Sequence, residues 1–390
     1  MAHFECKVMQ IDSVENHTNA DKLTINKLAG FTCISNKRED GSWRYQKGDL
    51  VVYIPENALL PEWLLKLMNF WSEEKQMGML SGKQGNRVRP LRLRGIYSEG
   101  LILPLLENKT LIHTETGKAL QVAEGDEVSA FLGITKYEAP IPIHLAGDVY
   151  SLGPGNFVDY DLEAIQKYPD VFETGEEVEF TEKLHGTQVR IACTFGEITY
   201  PDAFGARKDI HISSKGMGES GLFFRNAEAN SNNCYVKAFQ MSGIEERLAS
   251  LKDSDAILQE GKQILFYGEI VGVQDLKYGL SKGAVSLRIF DIFIGEKHTG
   301  RFLNYLQCKE LCETLGLERV PSLYTGPYSA EKVQEYTSGN TCFAENLKQI
   351  REGIVIRPLN ERSILNLGRA ILKSVSEDYK LRKGETTEWN

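Results

Sequence analysis

Thr181-Glu182-Lys183-Leu184-His185-Gly186-Thr187 sits between two alternating segments, and its reading decides the fold. Upstream, Glu177–Glu182 alternates acidic and apolar residues, the pattern of a strand with one buried face. Downstream, Gln188–Cys193 reads as the returning strand, with a tight turn at Gly186. Lys183 is therefore expected at the end of a β element, facing a cleft. Glycine at 186 is expected to let the backbone approach a phosphate closely.

Further strand-like pieces follow in order. Gln263–Gly272 is an apolar strand ending in Glu269, a carboxylate between two glycines. Leu287–Phe293 carries Phe290 beside Asp291. Arg351-Glu352-Gly353-Ile354-Val355 is a charged turn running into a β-branched strand, and Ala370-Ile371-Leu372-Lys373-Ser374 closes the set. Each piece alone has an ordinary reading: a solvated acid, a core aromatic, a surface lysine. Their order, with each expected at a strand end, carries the weight.

Such a set has a chemical logic. An ordinary lysine has a pKa near 10.4, so only about 1 in 2,500 is neutral at pH 7. A nucleophilic lysine needs its charged form disfavoured by burial or a nearby cation. Reaction at an α-phosphate needs further cations, usually Mg²⁺ held by carboxylates, and is then mostly alignment plus electrostatics.

The chain has 390 residues, 42% hydrophobic and 25% charged, enough for two globular domains. No apolar run reaches the ~18 residues of a membrane span, and the N-terminus lacks a signal-peptide pattern. Seven scattered cysteines suggest reduced thiols in an intracellular compartment, cytoplasmic or nuclear. The net charge of −9 means that nucleic-acid binding must come from local patches.

Residues 1–145 read as many short strands: Cys6–Ile11, Leu23–Lys27, Asp49–Ile54, Val88–Leu93 and Gly100–Pro104, with a short helix over Glu62–Trp71. That density suggests a small β-barrel. Arg87, Arg89, Arg92 and Arg94 lie in Asn86–Gly95 without an acid. On a strand, Arg92 and Arg94 share a face opposite Leu91 and Leu93, while Pro90 unsettles the register of the other two. A guanidinium row following a phosphate backbone is one reading, a solvated strand face the other. Ala139-Pro140-Ile141-Pro142-Ile143 and the glycine-rich Ser151–Gly155 mark a boundary at about 140–155. From 156 to 390 the chain reads as mixed α and β, with a short helix expected at Leu162–Lys167.

With these motifs in hand, the C-terminal half resembles the ATP-dependent RNA ligases of the covalent nucleotidyltransferase superfamily, over Glu182–Lys380. The first half is similar to the N-terminal OB-like domain of one branch of those ligases, through Gly48–Pro55, Arg92-Leu93-Arg94-Gly95 and Ser98-Glu99-Gly100-Leu101. The resemblance implies an α+β architecture: an OB-like barrel, then a nucleotidyltransferase domain of antiparallel sheets flanked by helices. It implies that Lys183 takes AMP from ATP and that Lys373 contacts the α-phosphate. Glu182 would read the adenine edge, with Leu184 beside the base, Gly186 allowing close approach and Phe290 stacking on it. Lys215 would lie near the phosphates or the RNA terminus. Glu269 would contact the ribose or a metal-bound water, and Glu352 would help hold Mg²⁺ or Mn²⁺. The substrate would be RNA with a 3′-hydroxyl and a 5′-phosphate, as single strands, a nicked duplex or a hybrid, and the protein a monomer active in repair.

Two departures stand out. His185 occupies the place where the superfamily has Asp, and Ile371 replaces the first of two closing lysines. Only 17 residues follow Lys373, whereas DNA ligases and capping enzymes generally carry another domain there. Another nucleotidyltransferase, or a catalytically degenerate nucleic-acid-binding protein, is the alternative.

Overall fold

The computed structural model describes residues 4–106, 108–137, 147–196, 198–251, 255–260, 263–365 and 367–382. The chain divides into two compact units, an N-terminal one ending at residue 138 and a C-terminal one beginning at residue 139. The proline-spaced connector at 139–143 lies outside the described residues.

In the N-terminal unit, Leu50–Ile54 is the centre of an antiparallel sheet, flanked by Lys7–Gln10 and Leu101–Pro104. Both faces of this strand are buried, so alternation feeds two cores. Val52 and Ile54 pack with Val8, Leu64 and Leu103, and Val51 and Tyr53 pack with Ile11, Leu28 and Phe31. A second meander joins Ser13–Asn16, Leu23–Leu28 and Phe31–Asn36.

Two expected element boundaries shift in this unit. The helix ends at Leu67 rather than Trp71, because Asn69 turns left-handed (φ 60°) and Trp71–Ser72 pairs as a strand with Met77–Gly78. The strand expected from Val88 begins only at Leu91, after Pro90.

The second unit is built on two five-stranded sheets. One runs Glu163–Ala164, Leu372–Val375, Gly353–Pro358, Glu177–Lys183, Ser322–Pro327. The other runs Ile210–Ser214, Thr187–Cys193, Ile264–Val271, Ser286–Ile294, Arg301–Phe302. Val178, Phe180, Ile354, Ile356 and Leu372 bury one face of the first sheet, where helix Ala330–Thr337 contributes Val333. Val189, Ile191, Phe266 and Ile292 bury one face of the second beneath helices Cys234–Ser242, Ile244–Leu251 and Tyr305–Thr314. The remaining faces share an aromatic cluster: Ala192, Leu265, Tyr267 and Phe293 from the second sheet, with Val355 from the first and Ile371 just before its strand Leu372–Val375. Apart from one short parallel pair, Glu163–Ala164 with Leu372–Lys373, the strand pairings of these sheets are antiparallel.

This arrangement overturns the expected hairpin at Gly186. Glu177–Lys183 pairs within the first sheet and Thr187–Cys193 within the second, so Leu184–Gly186 is a crossing between sheets. Alternation predicts which residues are buried, but does not name a strand's partner. The expected helix at Leu162–Lys167 is instead a two-residue strand followed by a 3₁₀ turn, Ile165–Lys167.

Candidate active site

Strand alternation decides which side chains meet in the cleft. Cross-strand register places Thr181 opposite Val355 and Lys183 opposite Gly353, and Val355 opposite Lys373. Lys183 and Lys373 therefore share the inner face of the first sheet. On the second sheet, Gln188 faces Glu269 and Arg190 faces Tyr267, both pairs on the side of the aromatic cluster.

Lys183 is the last residue of its strand, and its Nζ donates to Oε1 of Glu352, which lies immediately before the neighbouring strand and is buried. Across the cleft, burial pushes the Glu269 carboxyl up to about 7, against the lowering pull of Lys183, the Gly186 N–H and Lys215. That carboxylate is short of positive charge. A divalent cation would restore its ionised form. Among the described residues no three His, Cys, Asp or Glu side chains form a metal-holding group by themselves. One or two carboxylates plus substrate phosphates suffice for Mg²⁺, so Glu269 and Glu352 fit that role.

Lys215 opens the short helix Lys215–Glu219 and pairs with Asp161 at 2.9 Å. Lys373 is buried within its strand. Neither Glu269 nor Lys373 lies at a strand end, contrary to expectation. Phe290 is in mid-strand too, at a bulge: Tyr267 pairs with Asp291 and Gly268 with Ile289, leaving Phe290 unpaired in the ladder. A bulge re-aims its side chain. The half-buried Phe290 ring packs with Leu184, Val271, Tyr278 and Val320, an apolar wall next to the lysine.

Glu182 lies one residue from Lys183 and so faces the other way, on the side of Ile354. Its carboxylate is buried and accepts from Thr341 Oγ1 at 2.5 Å and from the Cys342 N–H at 2.7 Å. Burial raises its pKa, while these two bonds and Arg351 lower it. Glu182 thus anchors the segment leading to Phe343, which also joins the apolar wall.

The close approach at Gly186 is to protein. A Cβ there would lie 2.2 Å from the Ile270 carbonyl oxygen, so only glycine passes. Gln274 Nε2 donates to the Gly186 carbonyl at 2.6 Å. His185 is buried at 3% exposure. Its N–H donates to Tyr278 Oη at 2.6 Å, and its ring meets Asp275 at 2.6 Å and Tyr379 at 2.8 Å. Burial lowers the His185 pKa, opposed by Asp275. Ile371, in place of a lysine, belongs to the aromatic cluster between the sheets.

The arginine row does not survive whole. Arg87 is buried, donates to Asn57 Oδ1 at 2.6 Å and stacks 3.7 Å from the Tyr137 ring centroid. It supports the fold. Arg94 is not in a strand: Leu93 pairs with Ile96, and Arg94-Gly95 form a two-residue turn at φ 49° and 93°. Arg92 and Arg94 are exposed and Arg89 is half-buried.

A family profile described as RNA ligase matches residues 176–375, and an OB-fold domain profile matches residues 6–105. No curated protein sequence matches. Among solved structures, a variant of the RNA ligase of Naegleria gruberi with ATP and Mn is 23% identical, with a TM-score of 0.70 over 96% of this chain and 98% of that one. Another variant of that ligase, with AMP and Mn, is 22% identical with a TM-score of 0.71 over 97% and 98%. The same ligase with PPi is 22% identical with a TM-score of 0.70 over the same shares. At these identities the likeness is one of fold, and it extends across both units.

Proposed function

The chain belongs to the RNA ligase family, and on that premise we propose that it is an ATP-dependent ligase joining a 3′-hydroxyl RNA end to a 5′-phosphate end in RNA repair. The observation that carries this reading is the pairing of Lys183 Nζ with buried Glu352, beside an apolar wall that includes Leu184 and Phe290.

In the first step the neutral amine of Lys183 attacks the α-phosphorus of ATP. An N–P bond forms, the bond to pyrophosphate breaks, and a carboxylate hydrogen-bonded to the amine is placed to take its proton. Lys373, on the same sheet face, offsets charge on the α-phosphate, and Lys215 does so near the remaining phosphates. Glu269 and Glu352 would hold a divalent cation, Mg²⁺ or Mn²⁺, whose charge neutralises the phosphates. Phe290 and Leu184 flank the adenine, and Glu182 orders the adjoining wall at its edge. In the second step AMP passes from Lys183 to the RNA 5′-phosphate. In the third, the 3′-hydroxyl displaces AMP and a phosphodiester forms. Arg89, Arg92 and Arg94 of the OB-fold unit contact the RNA backbone by charge.

The test uses ATP labelled at the α-phosphate. The denatured protein retains covalent label after incubation with metal, and K183A retains none. Full labelling of K183A, or none of the unaltered protein, refutes the reading. Sealing assays with RNA or DNA on each side of a nick then define the ends accepted.

A further inference from the structure

The Leu184–Gly186 crossing is gripped by side chains that the ligase chemistry does not call for. Three come from one loop: Gln274 holds the Gly186 carbonyl, Asp275 the His185 ring, and Tyr278 the His185 N–H. Two come from the far end of the described chain. Tyr379, in helix Glu377–Leu381, reaches His185 Nδ1 at 2.8 Å. Arg382 follows it, lying 3.7 Å over the Tyr379 ring and bonding Asp275 Oδ2 at 2.9 Å.

These contacts assign the ring's protons. An ionised carboxylate only accepts, so the 2.6 Å contact with Asp275 Oδ1 puts the proton on His185 Nε2. The Arg382 guanidinium lies farther from Nε2, at 3.3 Å, and serves Asp275 instead. Nδ1 is then an acceptor and takes the Tyr379 hydroxyl proton. Both ring nitrogens are used by protein. The ring sits with Nδ1 4.0 Å from Glu352 Oε2, the second oxygen of the carboxylate that holds Lys183. A neutral imidazole satisfied in this way has no lone pair left for a cation and no proton left for a phosphate.

Resting on the ligase reading above, we infer that His185 is a positioning residue, and that Asp275, Tyr379 and Arg382 clamp it so that the Lys183–Gly186 crossing keeps its reactive geometry. Lys183 is two residues from the clamped ring, and the intervening Leu184 is itself buried against Val271, Tyr278 and Val320. The amine therefore leaves a backbone pinned at each of the next three positions. A misplacement of ~1 Å in such a group costs up to about 10²-fold in rate.

The test measures single-turnover transfer of labelled AMP from ATP to the protein, across a range of ATP concentrations. The variants are Y379F, which deletes one oxygen, H185A, and the two combined, with thermal unfolding followed for each. Y379F is expected to lower the maximal rate about tenfold, with the half-saturating ATP concentration moving less than about twofold. In the H185A background, Y379F is expected to add no further slowing, because the hydroxyl acts through the ring. The clamp is overturned if Y379F labels like the unaltered protein, if it slows H185A by the same factor, or if its effect lies wholly in the ATP concentration needed. Labelling by the unaltered protein with Y379F indistinguishable from it removes the clamp alone. No labelling of the unaltered protein removes the ligase reading and the clamp with it.

Discussion

Two groups of charge in the C-terminal unit handle burial differently. Glu179 and Asp291 are fully buried, with guanidinium partners throughout: Arg319 and Arg357 reach Glu179, and Arg357 and Arg369 reach Asp291. Burial is the largest influence on Arg357 and Arg369 and opposes their charge, but Asp291 together with Glu179 at Arg357 and Glu361 at Arg369 helps hold both pKa values above the usual range. At the lysine site, burial instead wins at Glu269, whose carboxyl rises to about 7 despite Lys183 and Lys215. The first group has each carboxylate paired with two guanidinium groups of the protein and serves the fold. The second leaves Glu269 with a raised carboxyl, the kind of shift that accompanies functional sites and that fits the proposed cation.

Substitutions sharpen the contrast, beginning with the largest effect. E352A leaves the amine of Lys183 without its buried partner, and the labelling rate is expected to fall by more than about 10² with little change in unfolding temperature. D291A is expected to do the reverse in kind. It takes one carboxylate partner from each of Arg357 and Arg369, leaving them Glu179 and Glu361, and costs on the order of 3–5 kcal/mol of stability, read by urea unfolding. Equal stability losses in the two variants would erase the distinction.

F290A removes the ring at the bulge and is expected to weaken ATP binding by about 1–3 kcal/mol, measured by calorimetry. An unchanged Kd would place the adenine elsewhere.

Glu269 gives a pH signature in the metal-free protein. Its folded pKa is above the unfolded value, so between the two the folded state holds a proton that the unfolded state has lost. Its contribution to stability is therefore present below the ordinary carboxylate range and is lost as pH rises through about 7. E269Q is expected to flatten that decline, so that its unfolding temperature exceeds that of the unaltered protein at pH 8 but not at pH 4. An identical pH profile for both proteins would count against the charge deficit.

The smallest effect belongs to the arginine hairpin. R92A is expected to reduce the slope of log K against log salt for RNA binding by about one. R87A is expected to lower stability instead, through loss of the Asn57 and Tyr137 contacts.

The residues proposed to carry the chemistry are legible in the sequence by type: a lysine, two acids and an aromatic in a recognisable order. Their surroundings are not. Asp275 meets His185 across 90 positions, and Tyr379 meets it across 194, with no periodicity linking them. One signal is available: a histidine where an acid is expected needs a partner for each ring nitrogen if it is buried. The sheet crossing at Leu184–Gly186 looks like a hairpin in sequence because alternation identifies a buried face and not the neighbouring strand. Arg87 groups with its exposed neighbours because sequence proximity does not reveal that Asn57 lies beside it.

The crossing between sheets has a mechanical consequence. Lys183 ends one strand of a slab and Glu352 immediately precedes the next strand of the same slab, tied through the Lys183–Gly353 register, while Glu269 rides on the other. Any breathing of the slabs changes the gap between amine and distal acid without disturbing the proximal ion pair.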